Sequence, residues 1–168
     1  MSDFRSLAPG VSVAGALTFQ DISAVAEQGF RTLINFRVDG ESLQQLESSD
    51  ARLAAERLGL TYIHIPTSTH ELFTDAVVDA ASEAFSVSQG PVLAHCAGGQ
   101  RAAIVWAATA ARKQPVTQVL EQLTLAGFDL AFLKDDLDAQ ADRARWQTTI
   151  DTSTTPQSEL SAFTREAA

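Results

Sequence analysis

The chain lacks any uninterrupted apolar run near the roughly 20 residues needed to span a bilayer. Its opening residues, Met-Ser-Asp-Phe-Arg-Ser, lack the basic start and apolar stretch of a secretory leader. With a single cysteine, Cys96, no internal disulfide can form. The expected setting is the cytoplasm, with no membrane partner. Positive charge is also scarce: 12 Lys and Arg face 21 Asp and Glu, a formal net charge of −9. That balance works against non-specific binding to phosphate backbones, so nucleic acid is not an expected partner. A small anion is not excluded, because loop amides and a helix end create a local field that outweighs a screened global charge. Nothing in the chain calls for a cofactor or a metal, and no pattern encodes the oligomeric state.

What the chain does have is a core. A hydrophobic content of 45% over 168 residues suits one domain of ordinary size. We expect that domain over residues 1–150 and a flexible tail over 151–168, where the composition turns to Thr-Ser-Thr-Thr-Pro-Gln-Ser-Glu. Residues 1–10 read as an irregular lead-in ending at Pro9-Gly10, followed by a short apolar segment, Val11-Ser-Val-Ala14. Thr18-Phe-Gln-Asp21 has the pattern of a capping box, and Gly29 is placed to stop the helix it starts. Strand patterns follow at 32–36, 60–65 and 92–94, separated by helical patterns near 50–58 and from 74 onward. Further helices are expected from Arg101, from Pro115 and from about Leu130. Strands alternating with helices, and too apolar to have a wet face, predict an α/β fold of three αβα layers: a parallel-rich four- or five-stranded sheet flanked by helices. Ligands of such sheets bind beyond the carboxyl ends of the strands, so the loops at 37–41, 66–73 and 96–101 should converge on one crevice.

The stretch His95-Cys96-Ala97-Gly98-Gly99-Gln100-Arg101 carries the chemistry. A buried strand delivers the cysteine to a glycine loop that opens a nearly all-apolar helix. A thiol is a weak nucleophile until a helix N-terminus or a nearby cation favours the thiolate. Gly98 and Gly99 permit positive φ, which lets the N–H groups of residues 97–101 turn inward as an anion-binding loop around the sulfur. Arg101 adds a permanent charge and a planar fork of donors for an oxyanion. We therefore take Cys96 and Arg101 as catalytic candidates, Ala97, Gly98, Gly99 and Gln100 as the loop, and His95 as a supporting group that bonds backbone near the cysteine. Arg37, Asp39, His70 and Glu71 lie on loops that reach the crevice. For Arg37, Asp39 and Glu41 a solvated turn with a local ion pair is an equal alternative, and His70 and Glu71 fit an exposed polar loop as well. Asp129 is expected to cap the next helix.

These residues resemble the His-Cys-loop-Arg signature of the protein tyrosine and dual-specificity phosphatase superfamily. Four further pieces resemble one bacterial branch, the phosphatase-like domain of β-lactamase-hydrolase-like proteins, also described as a sulfur transferase family. They are Gly29-Phe-Arg-Thr-Leu-Ile-Asn35, Arg37-Val-Asp-Gly-Glu41, Leu58-Gly-Leu-Thr-Tyr-Ile-His-Ile-Pro66 and Ala126-Gly-Phe-Asp-Leu130. The resemblance covers about residues 8–138 and implies a protein tyrosine phosphatase-like fold. It also implies a small anionic substrate, a sulfane sulfur donor or a phosphoester, held at Cys96.

The departures sharpen that reading. Phosphatases of the superfamily place five residues between the cysteine and the arginine, whereas Cys96 and Arg101 enclose Ala97, Gly98, Gly99 and Gln100. Rhodanese-type sulfurtransferases use the shorter loop, to hold one sulfane sulfur. A phosphatase also needs a general acid for the leaving oxygen, and the loop Thr67-Ser-Thr-His-Glu71 contains no aspartate. Ala102 stands where phosphatases tend to have a hydroxyl after the arginine. The branch's usual loop, Cys-Arg-Ser-Gly-Thr-Arg-Ser, is more polar than this one, so substrate contacts must differ. The expected function is a cysteine-dependent sulfurtransferase working through a Cys96 persulfide. A phosphatase working through a phosphocysteine is the alternative, and a catalytically impaired module that binds an anion or a phosphorylated partner is the third reading.

Overall fold

Pairing of short apolar strands organises the molecule, and the computed structural model describes residues 3–153 of it. Five strands, β1 (Arg5–Ala8), β2 (Val11–Ala14), β3 (Thr32–Asn35), β4 (Thr61–His64) and β5 (Val92–His95), form one sheet in the order β1-β2-β5-β3-β4. β5 is central: it runs parallel to β2 and to β3, with His95 opposite Ala14 on one side and Asn35 on the other. β4 extends the parallel set, and β1 turns back antiparallel on the edge. The segment expected as an irregular lead-in is thus partly a strand. Only Leu7 of β1 is well buried, so its sequence lacks the alternation that marks a half-buried strand.

Side chains along a strand alternate between faces, and the two faces meet different helices. Leu33, Tyr62 and Leu93 pack with Ile22 and Val25 of α1 (Phe19–Glu27) and with Ala51 and Ala55 of α2 (Ser48–Arg57). Val13, Ile34, Phe36 and Ala94 pack on the other face, beneath α3 (Asp75–Val87), α4 (Gln100–Ala111), α5 (Val116–Leu125) and α6 (Lys134–Ser153). The result is the three-layer αβα arrangement, with five strands. α4 is the central helix. Every residue from Ala102 to Thr109 is buried, and at about 1.5–3 kcal/mol for each fully buried large apolar side chain the helix is held by its surroundings.

Local signals set the helix ends. The Thr18 hydroxyl accepts from the Asp21 N–H at 3.2 Å while the Asp21 carboxylate accepts from the Thr18 N–H at 2.9 Å, the reciprocal pair expected of a capping box. α6 begins after a single 3-10 turn at Ala131–Leu133, and Leu133 and Leu137 are buried. Asp129 is exposed, and among the described residues that turn has no side-chain cap, so the expected cap is not made there. α6 continues to Ser153, three residues into the expected tail, whose remaining positions, 154–168, lie outside the described residues. Among the described residues no helix is long and apolar enough to cross a membrane, and no group of three or more His, Cys, Asp or Glu is placed to hold a metal ion.

Candidate active site

The central strand carries Cys96 to the middle of the sheet's carboxyl edge, where its amide is held by the Ala14 carbonyl at 3.3 Å. The cysteine is buried, and the Gly99 N–H donates to its sulfur at 3.2 Å. Gly99 caps α4 with φ of +87°, a left-handed conformation that costs a residue with a Cβ about 1–2 kcal/mol. Gly98 does not use positive φ, so one of the two loop glycines meets the conformational demand expected of both. The connection from β2 to α1 braces the loop: the Ala16 N–H donates to the Ala97 carbonyl at 2.9 Å, and a Cβ on Gly15 would lie 3.2 Å from that same oxygen. Ala97, Gly98 and Gln100 are exposed around the sulfur, whereas Ala102 is wholly buried.

Arg101, in the first turn of α4, joins three loops. Its Nη1 donates to the carbonyls of Phe36 at 3.1 Å and Thr67 at 2.8 Å, and to Glu41 Oε1 at 2.5 Å. Its Nη2 donates to Glu41 Oε2 at 3.2 Å, while its Nε is buried with no acceptor among the described residues. Hydrogen bonding to Arg101, assisted by the Val38 N–H, holds the Glu41 carboxyl at about 2, well below the usual carboxylate range. Arg37 approaches the same carboxylate with Nε at 3.4 Å, and its side chain is only 9% exposed. Two nearly buried guanidiniums therefore share one carboxylate.

The structure separates the remaining candidates. The Asp39 carboxylate accepts from the N–H and hydroxyl of Ser48, at 2.9 and 2.5 Å, and so caps α2. Those bonds lower its pKa. Glu71 turns onto its own loop, accepting from the N–H and hydroxyl of Ser68, which lowers its pKa too. Each of these two carboxylates is held by a serine and its amide, and they share a cause: an acidic side chain in a turn takes an orphan amide within reach. His70 is exposed on that loop, and no hydrogen bond ties it to the Cys96 loop. Asp75, in the first turn of α3, pairs with Arg112 and Arg143.

His95 departs from expectation in another way. By strand alternation its ring lies on the α1 and α2 face, opposite Cys96. Among the described residues neither ring nitrogen makes a hydrogen bond of good geometry, and the Cys96 backbone only partly offsets the effect of burial on the ring. Burial first, then the Arg37 charge, push its pKa down to about 3, so the ring is neutral at physiological pH. Nearby, Asn35 donates to the Tyr62 hydroxyl at 2.9 Å and accepts from the Arg37 N–H at 2.8 Å, and the His64 ring bonds the Arg37 carbonyl. These bonds fix the start of the loop that carries Glu41. A cavity of about 220 Å³ adjoins Gly98 and Gly99 and is lined also by Arg5 and Phe128, the Arg5 guanidinium lying 4.9 Å from the Phe128 ring centre.

The strand-loop-helix segment that carries Cys96 and Arg101 lies inside the region matched by a family model. The family model described as β-lactamase hydrolase-like protein, phosphatase-like domain, matches residues 3–113. The chain belongs to that family. The phosphatase-like domain is 36% identical over 92 residues to a β-lactamase hydrolase-like protein of Agrobacterium fabrum, a match covering 55% of this chain and 21% of that one. The matched region thus spans about a fifth of that curated relative's length. Among solved structures the domain is similar to a candidate phosphatase from Neisseria meningitidis, with a TM-score of 0.71, 25% identity, and coverage of 81% of this chain and 96% of that one. Its likeness to Tk-PTP in the active form, with a TM-score of 0.58, 16% identity and coverage of 83% and 96%, places the fold among protein tyrosine phosphatase-like domains.

Proposed function

We propose that this phosphatase-like domain is a cysteine-dependent transferase that moves sulfane sulfur through a Cys96 persulfide. The observation that carries the reading is the state of the carboxylates around the loop. Asp39 is bound to Ser48, Glu71 to Ser68, and Glu41 is held ionised by Arg101. None is a protonated acid at neutral pH, and hydrolysis of a phosphoester needs one for the departing alkoxide. Sulfur transfer does not, because its leaving groups depart as stable anions.

The charge balance supports an anionic ligand. Arg37 and Arg101 contribute two positive charges, Glu41 one negative, and neutral His95 none, which leaves an excess positive charge in a largely buried setting. Buried charge is costly until it is paired, so the loop favours a thiolate or a bound anion. In the first step the Cys96 thiolate attacks the outer sulfur of a thiosulfate-type donor. The S–S bond to the sulfonate breaks with its electron pair, sulfite leaves, and a Cys96 persulfide remains. A thiolate or cyanide acceptor then attacks the terminal sulfur and returns Cys96 as thiolate. The Gly99 N–H and the unsatisfied Nε–H of Arg101 are the donors available to steady the anion.

The second reading, a phosphatase that forms a phosphocysteine, is favoured by the protein tyrosine phosphatase-like fold. It requires a group other than these three carboxylates, such as His70 on the loop after β4, to serve as the acid, and low turnover would follow. The test is turnover of the wild type and Cys96→Ser with thiosulfate and cyanide, with glutathione persulfide, and with an aryl phosphate. Cysteine-dependent thiocyanate formation or persulfide consumption supports sulfur transfer. Aryl phosphate hydrolysis alone, lost in the variant, replaces it with the phosphatase.

A further inference from the structure

We infer that the cavity beside the Cys96 loop holds the sulfur acceptor, and that Arg5 and Asp3 there select a small thiol with an α-amino acid head group. This role rests on sulfur transfer being the reaction at Cys96. β1 runs antiparallel to β2 with Arg5 opposite Val13, so the start of that edge strand lies at the edge of the sheet where β2 and β5 end. Gly98 and Gly99 belong to the cavity lining, and the Gly99 N–H donates to Cys96 Sγ at 3.2 Å. A residue of the lining thus touches the nucleophile. A persulfide carries the reacting atom about 2 Å beyond Sγ. The acceptor enters as a thiolate, its proton given up to solvent, and its lone pair forms a bond to the terminal sulfur. The bond to Sγ breaks with its electron pair, leaving a persulfide on the acceptor and a thiolate on Cys96. The acceptor sulfur is oxidised as Cys96 is reduced, so no other redox partner enters.

The head group follows from the charges in the lining. The Arg5 guanidinium lies over the Phe128 ring, and its Nε is 3.5 Å from an Asp3 carboxylate oxygen. Among the described residues no acceptor takes its Nη hydrogens, which leaves the end-on edge open to a bidentate carboxylate. Asp3 is 83% exposed and only weakly paired, so its carboxylate is available to an ammonium. Opposite charges this close complement a zwitterion better than a second oxyanion. Val13 and the Phe128 ring supply the apolar contact for the carbons between head group and thiol. A volume of about 220 Å³ matches about seven water molecules at roughly 30 Å³ each, the size of free cysteine. Cyanide or sulfite would leave most of it empty.

The test uses thiosulfate as donor and four acceptors that differ in head group: cysteine, 3-mercaptopropionate with the carboxylate alone, cysteamine with the ammonium alone, and 2-mercaptoethanol with neither. The readout is kcat/KM from sulfite release. Ratios compared between protein variants cancel the intrinsic reactivities of the thiols. In Arg5→Met the ratios of cysteine to cysteamine and of 3-mercaptopropionate to 2-mercaptoethanol should each fall about tenfold from the wild-type values, the loss of one hydrogen bond to a charged group. In Asp3→Asn the ratio of cysteine to 3-mercaptopropionate should fall about threefold. Arg57→Met, on the exposed side of α2, should leave every ratio unchanged. Wild-type ratios in Arg5→Met overturn the acceptor role, and a fall in Arg5→Met without one in Asp3→Asn overturns the part given to Asp3. Thiocyanate formation from thiosulfate and cyanide by the wild type reads sulfur transfer without using the cavity. Its absence removes that reaction and the acceptor role with it, whereas thiocyanate formed by a protein whose ratios ignore Arg5 removes the acceptor role alone.

Discussion

Replacing Arg101 by methionine keeps the aliphatic stem and removes every hydrogen bond the guanidinium makes. Those bonds tie α4 to the segments after β3 and β4 through Phe36, Glu41 and Thr67. Not all of them leave a group stranded. The Phe36 carbonyl keeps the Thr67 N–H at 3.2 Å, and Glu41 keeps the Val38 N–H and Arg37. Hydrogen bonds to charged groups contribute about 1.5–3 kcal/mol each and do not add, so the expected loss at pH 7 is about 2–4 kcal/mol. Part of it depends on pH. A carboxyl depressed from 4.5 to about 2 stabilises the fold above its unfolded pKa and loses that contribution as pH falls through the folded one. The full depression converts to at most about 3 kcal/mol, and with the side chain 21% exposed solvent screening reduces this to about 1–2 kcal/mol. The gap between wild type and Arg101→Met should therefore narrow below pH 4.5, with most of the narrowing complete by pH 3. Urea unfolding of both proteins at pH 7, 4.5 and 3 measures it. Equal stability at pH 7, or a gap that does not change with pH, would refute the reasoning.

Two further expectations follow from the same geometry. Gly99→Ala forces a Cβ into a left-handed position 3.4 Å from the Ala14 backbone, and should cost about 1–2 kcal/mol in urea unfolding. Gly98→Ala, whose Cβ meets nothing within 4 Å and whose φ is not positive, should cost far less. His95 is held neutral with a pKa near 3 against an unfolded value of 6.5, so the unfolded chain binds more protons between those values and stability should fall as pH drops through that window. His95→Gln should flatten that segment of the stability profile, and the His95 ring signals in NMR should remain in the neutral form at pH 5.

How much of this was legible in the sequence depended on whether the signal was local. The Thr18 capping box, the stop at Gly29, the apolar helix after Arg101 and the delivery of Cys96 by a buried strand are short-range patterns, and the structure has each of them. Arg101 and Glu41 are 60 residues apart, and only the parallel pairing of β3 with β5 brings their loops together. The proximity of their loops followed from the fold class, but the bidentate contact did not. Asp39 and Glu71 illustrate the converse. Both sit on loops at the correct edge of the sheet, yet each is captured by a nearby serine and its amide, a competition decided by backbone turns of a few residues. β1 was hidden because an edge strand with one buried side chain carries almost no periodicity. His95 lies next to the cysteine in sequence but on the opposite face of the sheet, a consequence of strand alternation that adjacency conceals.

The central claim, that Cys96 is a nucleophile carrying one sulfur in a loop of this size, is tested most directly by intact mass. The protein is incubated with excess thiosulfate or glutathione persulfide in the absence of acceptor, desalted and weighed, and the adduct is located by peptide mapping. The account predicts a gain of one sulfur atom on the Cys96 peptide of the wild type, lost on addition of cyanide or a thiol and absent from Cys96→Ser. An unmodified wild-type mass with every donor, or the same gain in Cys96→Ser, would contradict it.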